Sequence, residues 1–303
     1  MKIYINNPSE NWVVDRLRRE WYQHNKNNSA KNIFFSDIVW IISPWTFKTQ
    51  NFKLLKNKKI VYSIHHIEEE EKSLFLEKLK KIDKYIDCYH TISKKYIDTI
   101  QTITSKKIHY IPFWIDSKIW FNISDKKLLR KKFGLSSSSY FVGSFQRDSL
   151  RINSNLPKLI KGPDIFLDNV IALKERIPNL EVVFTGRKRD YLINELTKAN
   201  IKFNYFEMVN QAELNELYNC LDLYIVSSRV EGGPQAIPEC ALTKTPIVST
   251  DVGMAGDFMS PVSIYEPSKF LESKPDLDYL IKKAEKLKIP SGFDEFLKMF
   301  DSI

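Results

Sequence analysis

Two glutamates, Glu231 and Glu239, bracket Gly232-Gly233-Pro234 in the stretch "SSRVEGGPQAIPECALTKTPIVST", residues 227–250. The chain has only 9 Gly in 303 residues, so a glycine pair between two acids is a concentrated use of bare backbone. Glycine lets a ligand approach main-chain N–H groups. A helix N-terminus attracts anions, and carboxylates accept hydrogen bonds from hydroxyls. Pro234 suits the first position of a helix. Glu239 then falls on that helix among Ala236, Ile237, Cys240, Ala241 and Leu242, where a carboxylate needs a hydroxyl-bearing ligand or a buried cation. Pro238 sits badly there, because a proline inside a helix removes a hydrogen bond and should kink it. A second centre is Lys161, directly before Gly162-Pro163 at a helix start, a good place to meet phosphate. Arg147 precedes it by about thirteen intervening residues. His65 and His66 close an apolar run, where a structural role is one reading. Paired carboxylates also suit glycoside hydrolysis, but a Gly-Gly turn beside them and a lysine-led helix elsewhere fit a nucleotide better.

The elements that must carry these residues alternate. After residue 139, "YFVGSF", "LEVVFTG", "IKFNYF", "LDLYIVSS" and "TPIVST" read as buried strands. Between them, 162–177, 189–200 and 211–220 read as helices, with Phe166, Val170, Leu173 and Ile177 on one face. Strands apolar throughout, separated by amphipathic helices, imply βαβ units and a parallel sheet covered on both faces. The first half has the same rhythm, with strands "KIYI", "DIVWIIS", "KIVYSIHH", "DCYHTIS" and "KIHYIPF" and helices at 12–24, 71–83 and 94–104. All six Trp and all five His lie in the first 120 residues, and all nine Gly lie after residue 133. We therefore expect two Rossmann-like domains, 1–123 and 139–290, joined by a linker at 124–138 and followed by a last helix, 291–303. In open α/β sheets ligands sit outside the carboxyl ends of the strands, where several of the second-half glycines fall.

Composition excludes some classes. With 43% hydrophobic residues the chain buries a proper core. Three scattered cysteines make no disulfide framework and point to a reducing, cytoplasmic setting. "MKIYINN" runs straight into a strand, so no signal peptide is expected, and no apolar run approaches the ~18 residues of a membrane helix. The net charge of +9 admits nucleic acid, an anionic membrane or a phosphorylated substrate. The basic residues are dispersed and no nucleic-acid module is evident, so a nucleic-acid-binding protein is the distant alternative. The stretch "DKKLLRKKFG", 125–134, is a place for peripheral contact with anionic lipid, or a solvated interdomain helix. The histidines show no metal-ligand spacing, and no metal is expected. Oligomeric state leaves no trace in the sequence.

The run "YNCLDLYIVSSRVEGGPQAIPECALTKTPIVSTDVG" resembles the retaining glycosyltransferases of family 4 (glycosyl transferases group 1), which have two glutamates at this spacing followed by a small-residue helix. "IHYIPFWIDSKIWF", "YFVGSFQRD" with "KGPDIFLDNV", and "FEMVNQAELNELY" are similar to further elements of that family. The resemblance implies the GT-B fold, two Rossmann-like domains with parallel sheets facing across a cleft, with 1–123 on the acceptor side, 139–290 binding the nucleotide sugar and the last helix, 291–303, packing back on the first domain. It implies transfer of a sugar with retention from a UDP- or GDP-linked donor to a glycan or glycoconjugate hydroxyl, with no obligatory metal. A GT-B nucleotide-sugar epimerase is the alternative. By the resemblance, Glu231, Lys161, Arg147 and His65 form the catalytic set. Glu239, Gly232, Gly233, Pro234, Gly186, Arg187, Met208, Val209, Ser144 and His66 bind the donor, Glu239 at the ribose and Met208-Val209 along the base. Three departures stand out: Trp114 and Lys244 where the family favours Gly, and "NNPSENW" in place of a Gly-rich loop.

Overall fold

The computed structural model describes residues 1–10 and 13–303, so Trp12 and the start of the expected helix 12–24 lie outside the described residues. The chain divides into two compact units, one of residues 1–114 and 289–303, the other of residues 115–288.

The first unit is a five-stranded parallel sheet in the order β1 (Ile3–Ile5), β2 (Ile38–Ile41), β3 (Lys59–Ile64), β4 (Cys88–Thr91), β5 (Ile108–Tyr110). The helices α1 (Val13–His24), α2 (Lys72–Asp83) and α3 (Ile97–Gln101) lie between strands in the chain. Every residue of β2 and of β4 is buried, because each strand packs on both faces. On one face Val39, Ile41, Ile60, Leu79 and Tyr89 form a core. On the other, Trp21, Trp40 and Trp114 meet Phe293, Phe296 and Phe300. The three phenylalanines belong to the last helix of the chain (Asp294–Asp301) and the turn before it, so this helix completes the first unit's core. Trp114 takes the place of the family's glycine because it fills this cluster. Its ring lies 4.6 Å from that of Phe293, and its Nε1–H donates to Glu20 Oε2 at 2.8 Å.

The second unit is a six-stranded sheet, parallel throughout. Its strands are β6 (Tyr140–Gly143), β7 (Leu180–Thr185), β8 (Phe203–Phe206), β9 (Leu223–Val226), β10 (Ile247–Thr250) and β11 (Ile264–Tyr265). They are arranged in the order β11-β10-β9-β6-β7-β8. The helices are α4 (Lys126–Lys132), α5 (Pro163–Arg176), α6 (Asp190–Lys198), α7 (Gln211–Cys220), α8 (Ala236–Thr243), α9 (Ala255–Phe258) and α10 (Leu277–Ala284); α11 is the Asp294–Asp301 helix of the first unit. Alternate strand residues feed opposite faces: Val142, Val182, Leu223 and Ile225 on one, Phe141, Val183, Tyr224 and Val226 on the other.

The stretch expected as a linker, 124–138, is part of the second unit's core shell. Arg130, 6% exposed, donates to the Cys220 carbonyl at 2.9 Å and to Asp222 at 2.6 Å, and Lys126 pairs with Asp222 at 2.7 Å. A basic helix anchored this way is not a free connector, while Lys127, Leu128 and Lys131 on its other side stay exposed. The division falls instead at Ile115, whose N–H donates to the Leu287 carbonyl at 2.8 Å, where the chain leaves the same unit. Lys244 stands where glycine is common because it is the C-terminal cap of α8, with φ of 57°. This left-handed position favours glycine.

Candidate active site

The order of the second sheet reverses at β6: the chain runs outward through β7 and β8, then returns to β9. Such a reversal opens a crevice at the carboxyl ends of the two central strands. There β6 leads into Ser144–Asp148 and β9 into Ser227–Gly233. Arg189, 1% exposed, fixes the first of these loops. It pairs with Asp148 at 2.7 Å and donates to the carbonyls of Ser144 at 2.9 Å, Thr185 at 3.2 Å and Gln146. Burial pulls the guanidinium downward and the Asp148 carboxyl upward, each opposed by the other's charge. Ser144, read from the sequence as donor-binding, is 4% exposed and serves here as a main-chain acceptor for Arg189.

The second loop is held by Gly162. This residue has φ of 60°, and an added Cβ would lie 1.8 Å from the Ser227 carbonyl oxygen. Arg229 and Val230 N–H donate to the Ile160 carbonyl at 2.9 and 3.1 Å, and the Arg229 guanidinium meets both oxygens of Asp164. The result brings Lys161 against Glu231. Their ammonium and carboxylate form an ion pair, 15% and 17% exposed, from positions 70 apart in the chain. Ser228 Oγ donates to Gln146 Oε1 at 2.7 Å, tying the loop of β9 to the loop of β6. Arg147 follows Gln146. Gln146 Nε2, Arg147 Nε and Thr185 Oγ1 are buried and have no hydrogen-bond partner among the described residues, at the carboxyl ends of β6 and β7, where a ligand's oxygens would satisfy them.

Helix α8 begins at Ala236, not at Pro234. Pro234 lies in the loop before it, and its carbonyl accepts from Ile237 N–H at 3.0 Å. The late start also accounts for Pro238: it is the third helical residue, in the first turn, where an N–H has no intrahelical acceptor to lose. Glu239 is 5% exposed and accepts from Tyr218 Oη at 2.9 Å, a protein partner that the sequence did not reveal. Burial and the Glu239 carboxylate push the Tyr218 hydroxyl well up, so it stays a donor. Gly232 is buried and Gly233 partly exposed. A Cβ on Gly253 would strike the Gly232 carbonyl at 2.0 Å, so the loop after β10 braces the glycine pair.

Further along the edge, Arg187, Met208 and Val209 line one open pocket of about 580 Å³ with Phe133, Phe206, Glu207 and Glu213. Gly186, at the end of β7 with φ of 92°, accepts from Tyr205 Oη at 3.0 Å. Capping box Asn210–Glu213 starts α7 beside this pocket.

In the first unit, His65 Nε2–H donates to the Ile42 carbonyl at 2.6 Å, between the rings of Trp45 at 5.2 Å and Phe113 at 5.7 Å. His66 lies 3.5 Å from Glu68. The Gly-rich loop is replaced by a side-chain organiser. Asn6 Oδ1 accepts from Ile42 and Ser43 N–H, and its amide reaches Ser43 and Thr46. His90 is spent on structure: Trp40 Nε1–H donates to Ser63 Oγ, Ser63 to His90 Nδ1, and His90 Nε2–H to the Ile111 carbonyl. Polar residues at the end of β7 (Thr185) and just beyond β6 and β9 (Gln146, Ser228) were missed. Their position after buried strands was the available signal.

Two parallel-sheet α/β units, one with a strand-order reversal flanked by a glycine-led helix and a paired lysine and glutamate, define the GT-B class. Over its full length the chain superposes on Anabaena Alr3699/HepE in complex with UDP-glucose, with TM-score 0.75, 13% identity and 99% of that chain covered. It also superposes, over 98% of its length, on sucrose-phosphate synthase from Thermosynechococcus elongatus, with TM-score 0.69, 12% identity and 80% of that chain covered. Residues 154–291 match the family model Glycosyl transferases group 1. The chain is 27% identical over 177 residues to the lipopolysaccharide core biosynthesis mannosyltransferase LpsB of Rhizobium meliloti (strain 1021). That match takes in 56% of this chain and 47% of LpsB, so the similarity spans about half the length of this relative.

Proposed function

We propose that the protein transfers a hexose from a nucleoside diphosphate donor, UDP- or GDP-linked, to a hydroxyl of a glycan or glycoconjugate. The transfer proceeds with retention of anomeric configuration and without an obligatory metal. The observation that carries this reading is the Lys161–Glu231 pair beside the N-terminus of α5. A donor diphosphate competes for the Lys161 ammonium and gains the positive end of a 14-residue helix. Glu231, released from the lysine, accepts hydrogen bonds from donor-sugar hydroxyls. Negative charge grows on the leaving phosphate in the transition state, and Lys161, Arg147 and the 232–233 main chain stabilise it. The leaving phosphate takes the acceptor proton on the same face, and Glu231 orients the sugar instead of attacking it. Glu239, with Tyr218, holds the ribose, and the Arg187–Met208–Val209 pocket takes the base. The three buried, unbridged cysteines support a reducing compartment such as the cytoplasm. LpsB is named a mannosyltransferase and HepE was solved with UDP-glucose. These names support a hexose and divide on which.

The test begins with thermal shift against UDP, GDP, UDP-glucose and GDP-mannose. Transfer by Lys161→Ala and Glu231→Ala is then measured with the donor that binds. Each substitution is expected to lower turnover about 100- to 1,000-fold, with an unchanged rate in EDTA and retained configuration in the product. Near wild-type transfer by both variants refutes the assignment.

A further inference from the structure

All five strands of the first sheet run parallel, so their amino ends share one edge, opposite the carboxyl edge where His65 lies. The segments that lead into the strands there are 1–2, 34–37, 53–59, 84–87 and 106–107. Together they hold eight lysines, no arginine and two acids, Asp37 and Asp87. Both acids are occupied: Asp37 accepts from Lys2 N–H at 2.7 Å, and Asp87 accepts from Ile60 N–H at 2.8 Å and from Lys59 at 3.1 Å. Most of the net charge of the chain is therefore concentrated on this edge.

Large apolar side chains stand on the same edge. Phe34 is 80% exposed, Phe35 79% and Leu54 83%. They are held there by local structure. Lys58 donates to the carbonyls of Phe34, at 2.9 Å, and of Ser36, and Asn32 caps the short 3-10 turn Ile33–Phe35. Beside them opens a pocket of about 430 Å³ with Lys56, Lys58, Lys59 and Lys84 in its walls and Phe52 and Tyr85 stacked behind, 5.7 Å apart.

We infer that this amino-terminal sheet edge docks on an anionic lipid bilayer, with Phe34, Phe35 and Leu54 entering the headgroup–acyl boundary and the surrounding lysines meeting lipid phosphates. Charge complementarity selects the occupant. Apolar tips within a lysine field match an anionic interface. A second copy of the same face would set lysine against lysine. Nucleic acid would make little use of Leu54, which cannot stack on a base, and the edge has no arginine fork. The basic helix α4 offers less: Arg130 and Lys126 are tied to Asp222 and Lys132 to Glu216, and Leu128 is the large apolar side chain it exposes. No helix of the described residues is long and apolar enough to cross a membrane, so a docking face is a separate means of reaching one.

The test is flotation of the full chain with vesicles of phosphatidylcholine alone and of phosphatidylcholine mixed equally with phosphatidylglycerol, at low and high salt. Binding is expected only to the anionic vesicles and only at low to moderate salt. Lys56→Gln with Lys84→Gln should weaken it about 25-fold, about fivefold per lysine. Phe34→Ser with Phe35→Ser should weaken it at least tenfold, because the apolar surface that enters the bilayer is lost. Both pairs are exposed, so melting temperatures should match the parent. Lys198→Gln on the second unit should bind as the parent does. Equal binding to neutral vesicles, no binding, or binding that survives both double substitutions overturns the inference. So does a dimer in solution that Phe34→Ser with Phe35→Ser dissociates, or a preference for DNA over anionic vesicles at equal salt.

Discussion

Replacing Gly162 by alanine probes how the site is positioned, and the structure supplies its own control. Gly134 and Gly162 have nearly the same left-handed backbone, with φ of 66° and 60°. A Cβ at Gly134 meets nothing within 4 Å, whereas at Gly162 it would lie 1.8 Å from the Ser227 carbonyl oxygen. Gly134→Ala therefore bears only the left-handed cost, ~1–2 kcal/mol. Gly162→Ala bears the same cost plus ~1–3 kcal/mol for forcing apart two backbone segments. Those segments carry Lys161 and, after Ser227, Glu231, so the substitution also moves the ion pair. A displacement of about 1 Å at such a site lowers turnover on the order of 100-fold. Urea unfolding and transfer rate per folded molecule, measured on both variants, separate the two effects. Gly134→Ala should lose stability and keep its rate; Gly162→Ala should lose more stability and most of its rate. Equal loss of stability in the two, or a wild-type rate in Gly162→Ala, refutes the argument that this contact positions the lysine.

Arg189→Met should cost ~3–5 kcal/mol by stranding Asp148, and Arg189→Met with Asp148→Leu should cost less than the single change; chemical denaturation of the three proteins checks this. Tyr218→Phe removes a hydrogen bond to the buried Glu239 carboxylate, for ~1.5–3 kcal/mol, and should raise the KM for donor more than it lowers kcat. His90 is pulled down to about 3 by burial, from 6.5. Its folded form refuses a proton that the unfolded chain accepts, so stability is full above about pH 6.5. It falls by ~1.4 kcal/mol per pH unit below that, until about pH 3. The slope of urea midpoints between neutral pH and about pH 5 should be shallower in His90→Gln than in the parent.

The central strands were legible because they are buried on both faces and read as apolar runs, whereas the edge strands β5 and β8 are only half-buried; the helices were legible because α5 and α7 carry regular apolar spacing. The Lys161 and Glu231 positions were legible from residue type beside Gly162 and Gly232. Their direct contact was not, since no local pattern reports a pairing between residues 70 apart in the chain. Pro238 misled because it was judged against a helix starting at Pro234; the true start two residues later makes it a first-turn residue. The 124–138 stretch misled because exposed lysines dominate its composition, while Arg130, which anchors it, finds Asp222 and the Cys220 carbonyl far along the chain. The partner of Glu239 was hidden for the same reason: Tyr218 belongs to another helix.

The first unit draws its core from both ends of the chain, with Trp21, Trp40 and Trp114 closed over by Phe293, Phe296 and Phe300. During synthesis, all of the second unit emerges from the ribosome before that closing helix exists. The first unit must wait with its tryptophan face uncovered while the later half, contiguous in sequence, can already fold. The order of folding thus runs against the order of translation, and the nascent first unit is the stage at which this protein most needs protection from aggregation.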